Sequence, residues 1–156
     1  MRRTDLEVTD PAQIDGIIQN CDCCRLGFSD HGKAYIVPLN FAFVSENGTR
    51  TFYFHGANEG RKLDLIRENG WAGFELDRNH SLHTSDIACN YAYRYECVIG
   101  GGEISILTDT TEKSAALQLI MEHYSQRNDW AFNEAALAKT AMLKLTVKEI
   151  SCRVHQ

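Results

Sequence analysis

The sequence predicts a mainly β domain with flanking helices, its strands closing into a small barrel. Three observations carry this. Six or so short runs rich in Val, Ile, Tyr, Phe and Thr recur along the chain, with turn signals about every 8–12 residues. Tyr93, Tyr95, Cys97 and Ile99 stand in alternation with Arg94, Glu96 and Val98, the period-two signature of a strand. Helical stripes are few and lie between these runs, so helices flank the sheet rather than build the core.

Asp10-Pro11-Ala12-Gln13 carries an N-cap, a proline at the first helical position and a capping-box partner, and Ile14, Ile17 and Ile18 continue it as a helical stripe. A short strand around Cys24–Phe28 leads to the turn Asp30-His-Gly-Lys33. Residues Ala34–Val44 read as one strand. Pro38 inside it cannot donate to a ladder, which points to an edge, a bulge, or a side not paired with another strand. Glu46-Asn47-Gly48 signals a hairpin, and Thr51–His55 is its return. A helix over Arg61–Glu68 closes at Asn69-Gly70. Trp71–Leu76 is a strand, and the polar stretch Arg78–Asn90 reads as the longest irregular segment. Gly100-Gly101-Gly102 breaks or bulges the strand that begins at Tyr93, and Glu103–Leu107 continues it. Asp109 with Glu112 caps a helix bearing Ala116, Ile120 and Tyr124. Leu143, Leu145 and Val147 form a final strand.

A chain of 156 residues suits a single domain, 1–156, with a sizeable core. With 44% hydrophobic and 24% charged residues the balance is that of a globular protein. The net charge of −5 speaks against nucleic acid as a partner. No run of about 18 apolar residues offers a membrane span, and the polar start Met1-Arg-Arg-Thr-Asp has no signal-peptide core, so a cytoplasmic location is expected. The six cysteines then read as reduced thiols.

The segment Thr51–Ile66 carries the most chemistry. A strand ends in a polar turn with His55 and Gly56 and passes directly into a helix that starts at Arg61-Lys62. Free N–H groups and the helix dipole favour an anion there, and the two cations add a planar fork and a point charge. The plainer reading is a pair of solvated surface cations.

Taken in order, Met1-Arg-Arg-Thr-Asp, Tyr35-Ile-Val-Pro-Leu-Asn-Phe41, Tyr53–Lys62, Cys97-Val-Ile-Gly-Gly-Gly102 and the Glu112-Lys113 helix start resemble the flavin-binding split barrels related to pyridoxamine 5′-phosphate oxidase. Within these the chain is most similar to the nitroimidazole-resistance (nitroimidazole reductase) group. The resemblance implies a six-stranded FMN-binding split β-barrel that works as a homodimer, with the flavin between protomers. It implies that Arg61 and Lys62 hold the flavin phosphate, that the main chain of Ile36, Val37, Pro38, Leu39 and Asn40 lies along the ring, and that Phe54 and His55 lie beside the ribityl chain and ring. Glu96 and Cys97 would contribute from the second protomer. The end of the chain, Ser151–Gln156, lacks the Arg- and Pro-containing signature of the true oxidase, so vitamin B6 oxidation is not expected.

The resemblance further implies a flavin-dependent oxidoreductase. A reduced nicotinamide nucleotide or a protein donor would supply electrons, and a nitroaromatic or similar small molecule would accept them. His55 is the natural proton donor, or else a turn histidine bonded to cofactor or backbone. FMN is the expected cofactor, with FAD as the alternative. A non-catalytic flavin or haem carrier of the same fold is the competing function. No metal is expected. His80-x-x-His83 shows no full ligand set, and Cys21-x-x-Cys24 reads as small buried residues entering a strand. Tyr91, Tyr93 and Tyr95 either wall a pocket or pack in the strand.

Overall fold

A computed structural model describes residues 4–155; the Met1–Arg3 part of the opening motif lies outside the described residues. Strands β1 (Glu7–Val8), β2 (Cys24–Asp30), β3 (Lys33–Leu39), β4 (Phe41–Glu46), β5 (Thr49–Ala57), β6 (Trp71–His83), β7 (Ala92–Leu107) and β8 (Thr140–His155) form one sheet. Helices α1 (Pro11–Gln19), α2 (Arg61–Asn69), α3 (Thr110–Ser125) and α4 (Glu134–Ala138) flank it. The order is β3-β2-β6-β7-β8-β5-β4, all antiparallel, with β1 added alongside β8.

This order explains the barrel and its split. The two edge strands, β3 and β4, are consecutive in the chain and joined by Asn40 alone. A sheet whose opposite edges share one linking residue must curl until those edges meet. They meet at Asn40 and are not paired beyond it. The stretch read as one strand over Ala34–Val44 is therefore two strands. Tyr124 of α3 closes the seam: its hydroxyl accepts from the Phe41 N–H at 3.2 Å, donates to the Asp22 carbonyl at 2.8 Å, and bonds the Asn40 side chain.

Local chemistry sets the turns. His31-Gly32 and Asn47-Gly48 have positive φ at both positions (48° and 81°, 51° and 78°), as two-residue hairpins with the sheet's own twist require. Asp10 accepts from the Ala12 and Gln13 N–H groups to cap α1, and Asp109 accepts from the Glu112 N–H to cap α3. Gly70, at φ 60°, ends α2.

The core lies between the curled sheet and α1 and α2. Phe52 sits at its centre, fully buried, with ring centroids of Phe43 and Phe74 both at 5.0 Å and Phe41 at 5.7 Å. Ile14, Ile17 and Ile18 of α1 and Leu63, Leu65 and Ile66 of α2 are buried in the same cluster.

Two segments run longer than the sequence signals. β6 continues to His83, so the irregular stretch shrinks to residues 84–91 with a short 3-10 turn at Ala88–Asn90. Both faces of this arm are exposed, so it has no apolar alternation; its ladder with β7 holds it, around a bulge where Asn79 takes φ 56°. β8 runs on to His155 for the same reason, paired along β7. The Gly100–Gly102 run does not break β7; the register to β8 shifts between Gly101 and Gly102.

Candidate functional site

The end of β5 with the start of α2 meets the β2–β3 hairpin through Arg61. The N-cap of α2 is Gly60, at φ 119°, which brings no side chain to the helix end. The Leu63 and Asp64 N–H groups both bond the Gly60 carbonyl, so those of Arg61 and Lys62 have no helical acceptor and remain for an outside one.

Lys62 is half-buried, and burial pulls its pKa below the ordinary lysine value. Among the described residues no carboxylate pairs with it. Its ammonium lies against Gly56, where a Cβ would stand 2.8 Å from Nζ. His55 is also half-buried. Burial first, and Lys62 second, lower its pKa, so it is neutral at pH 7 and offers one ring N–H and one ring acceptor.

Arg61 points the other way. Its guanidinium is ion-paired with Asp30 at the end of β2 and lies over the Tyr35 ring of β3, with Cζ 5.2 Å from the ring centre. Asp30 is only 6% exposed, the more buried of the two buried polar residues among those described. Its position in a turn gave no sequence signal for this role, because its partner lies 31 positions away.

The free edge of β3 follows from its register. Asp30 and Lys33 close the two-residue turn, so pairs 28/35, 26/37 and 24/39 exchange hydrogen bonds with β2. Ala34, Ile36 and Pro38 then turn their backbone polar groups away from the sheet. Pro38 occupies a position where no ladder N–H is needed, as its presence in a strand suggested. Ile36 is 62% exposed, while Val37 and Leu39 pack on the core. A cleft of about 380 Å³ crosses the sheet from Ile36 of β3 over β2 and β6 to β7, lined by Arg25, Gly27, Ile36, Gly73, Phe74, Glu75 and Gly100. Gly27 and Gly73 are register partners, so part of its floor lacks side chains.

The other sequence-predicted residues fall elsewhere. Phe54 is fully buried and its main chain is paired on both sides, to β4 and β8, so it packs behind His55 rather than lining the surface. Glu96 and Cys97 lie on β7, with β2 and β6 between them and β3. Glu96 pairs with Arg78 at 3.3 Å, and Cys97 lines a smaller cleft of about 160 Å³ with Tyr95, Ile99, Ser151, Cys152 and Arg153. Burial pushes the thiols of Cys97 and Cys152 up to about 11 and that of Cys21 up to about 12, so these are protonated, unreactive groups at pH 7. His80 is held by Asp77 at 2.9 Å and stacks on Tyr93; Arg25 bridges Asp77 and Glu75. Among the described residues no group of three His, Cys, Asp or Glu side chains is placed to hold a metal. No described helix is long and apolar enough to cross a membrane.

The fold and the site define a split antiparallel barrel with an uncapped helix start near the β2–β3 hairpin. The chain belongs to the pyridoxamine 5′-phosphate oxidase family, whose model matches residues 10–154. Among solved structures it is similar to a proposed 5-nitroimidazole antibiotic resistance protein from Bacteroides thetaiotaomicron, at 27% identity, covering 96% of this chain and 86% of that one, with a TM-score of 0.83. The flavocytochrome Anf3 from Azotobacter vinelandii (19% identity, 100% and 72% coverage, TM-score 0.82) shares the fold. So does the FAD and heme binding protein from Mycobacterium smegmatis (15% identity, 96% and 73% coverage, TM-score 0.82). No curated protein matches the chain.

Proposed function

We propose that this chain is a flavin-dependent oxidoreductase of the nitroreductase type, working as a homodimer on small electron acceptors. The observation that carries the reading is the pairing of a strand edge with outward main-chain groups and a helix start with free N–H groups, no capping side chain and a Lys62 that no described carboxylate engages. A flavin asks for both: donors and acceptors along the edge of its ring, and an anion site for its phosphate. FMN satisfies the site with one phosphate. FAD would place its pyrophosphate there, and solved structures of the same fold named for FAD keep it as the alternative.

A bound flavin would supply the electron-transfer chemistry. The chain's own groups bind, orient and donate. The Ala34 and Ile36 backbone and the Pro38 carbonyl would hold the ring edge, and the first turn of α2 with Lys62 would hold the phosphate. His55, neutral and next to Lys62, donates a hydrogen bond rather than carrying a spare proton. The nitroimidazole acceptor class rests on the likeness to the Bacteroides thetaiotaomicron protein.

The glycine-floored cleft, with Ile36, Ile99 and Trp71 exposed around it, is the face we assign to the second protomer. Cys97, two positions from Ile99 on β7, stands on that face, while the Glu96 side chain points to the other and pairs with Arg78. An Ile99→Lys variant that stays dimeric by light scattering would rule this face out.

The absorption spectrum of the purified chain tests the function, before and after anaerobic addition of a reduced nicotinamide nucleotide. Flavin bands that bleach and recover on adding a nitroimidazole support the reductase. Flavin that does not bleach points to a carrier or another donor, and a Soret band to haem binding.

A further inference from the structure

We infer that Tyr124 is a positioning residue for the flavin ring. Its hydroxyl, in the last turn of α3, fixes the open end of the β2–β3 hairpin and with it the free edge that runs through Ile36 and Pro38. This rests on the flavin reading above.

A phenol hydroxyl has one proton to give and two lone pairs. In Tyr124 all three are in use. It donates to the Asp22 carbonyl at 2.8 Å, accepts from the Phe41 N–H at 3.2 Å and bonds the Asn40 side chain. These partners lie on both sides of the split. Asp22 stands two residues before β2, Asn40 joins β3 to β4, and Phe41 begins β4. His123 adds a second hold from the same turn. Its Nε2 donates to the Cys21 carbonyl at 3.0 Å, since a carbonyl can only accept, and its ring centre lies 4.8 Å from that of Phe41. The mount is firm: Ala116 and Ile120 bury α3 in one cluster with Ala42 of β4 and Met142 of β8. The Tyr124 ring itself is 40% exposed, so the hydroxyl rather than the ring carries the contact.

The register explains why this end needs a hold. The β2–β3 ladder runs from Asp30–Lys33 to Cys24–Leu39 and stops there. β2 pairs with β6 only through Arg25, Leu26 and Gly27. β3 is an edge, and among the described residues no strand pairs its other side. Pro38 is one residue from the end of that ladder and two from Asn40. A displacement of the Asn40 junction therefore passes straight to the main chain that would hold the ring.

The test compares two variants of α3. Tyr124→Phe removes the hydroxyl and keeps the ring. Ile120→Val, one turn earlier, trims a side chain that is 3% exposed and leaves the three bonds in place, so it controls for stability alone. Amide hydrogen exchange is followed by NMR in the flavin-free chain, with Leu143 at the centre of the sheet as the internal reference. Riboflavin and FMN are then titrated by fluorescence into the full chain, well below its unfolding temperature. In Tyr124→Phe, exchange at Leu39 and Phe41 relative to Leu143 is expected to rise about fivefold, the factor for one neutral hydrogen bond. Riboflavin and FMN should both weaken by about that factor, because the edge meets the ring that the two share. Ile120→Val should leave the exchange ratio and both affinities at their wild-type values.

An unchanged exchange ratio in Tyr124→Phe overturns the inference, because the hydroxyl then holds nothing. Faster exchange with unchanged flavin affinity overturns the positioning role. So does a loss confined to FMN, which places the effect at the phosphate, or an equal loss in Ile120→Val, which makes it one of stability. A wild-type chain that binds neither flavin overturns the flavin reading and the ring role of Tyr124 with it; the exchange ratio then still decides whether the hydroxyl holds the hairpin end.

Discussion

Gly56 and Lys62 are fitted to each other: a Cβ on Gly56 would stand 2.8 Å from the Lys62 ammonium, closer than ordinary contact allows. The neighbour is the end of a flexible side chain, so the fold can yield at little cost while the ammonium cannot keep its place. Gly56→Ala should therefore lower FMN affinity about tenfold or more, the scale of one misplaced charge-assisted bond, with little change in melting temperature. Isothermal titration beside a thermal melt checks this. Unchanged affinity would mean that the Lys62 position does not matter for binding.

Lys62 also sets a pH dependence. Its folded pKa lies below the ordinary lysine value because burial disfavours the charge. A phosphate binds the charged form, so FMN affinity should fall as pH rises through that lowered pKa, earlier than for an exposed lysine. Lys62→Arg, charged throughout, should remove the alkaline loss. Titrating FMN and riboflavin from pH 7 to 10 separates this from general effects, since riboflavin should show no such loss.

His55 gives the opposite limb. Its folded pKa is lowered from 6.5. Between the lowered value and 6.5 the unfolded chain holds a proton that the folded chain does not. Stability therefore rises with pH through that window, is complete above about 6.5, and is lost on acidification. His55→Gln should flatten this part of the curve, as read by urea unfolding between pH 5 and 7.5. An unaltered slope would show that His55 is not its source.

Gly100 answers to packing. A Cβ there would overlap the Glu149 carbonyl oxygen of β8 and the Phe74 ring, and the backbone oxygen cannot swing aside. Gly100→Ala should destabilise the flavin-free chain by roughly 1–3 kcal/mol, the scale of overpacking. Gly27→Ala, which meets only Gly73 oxygen at 4.0 Å, should lose far less. Chemical denaturation of both variants makes the comparison.

Features set within a few residues of one another are legible in the amino-acid sequence itself. The Asp10 and Asp109 caps, the Asn47-Gly48 and His31-Gly32 turns, the Gly70 stop and the start of α2 at Arg61 depend on local φ, ψ and hydrogen-bond preferences that the residue types carry with them. The extent of β6 and β8, the break at Asn40, the pairing of Asp30 with Arg61 and the burial of Phe54 behind His55 are not legible there. Each depends on which strand lies alongside which. The free energy of that choice is summed over the whole ladder and over the desolvation of groups far apart in sequence. A polar arm such as Arg78–His83 becomes a strand because β7 pairs with it. Arg61 meets Asp30 because the curled sheet brings the buried end of β2 beside the start of α2.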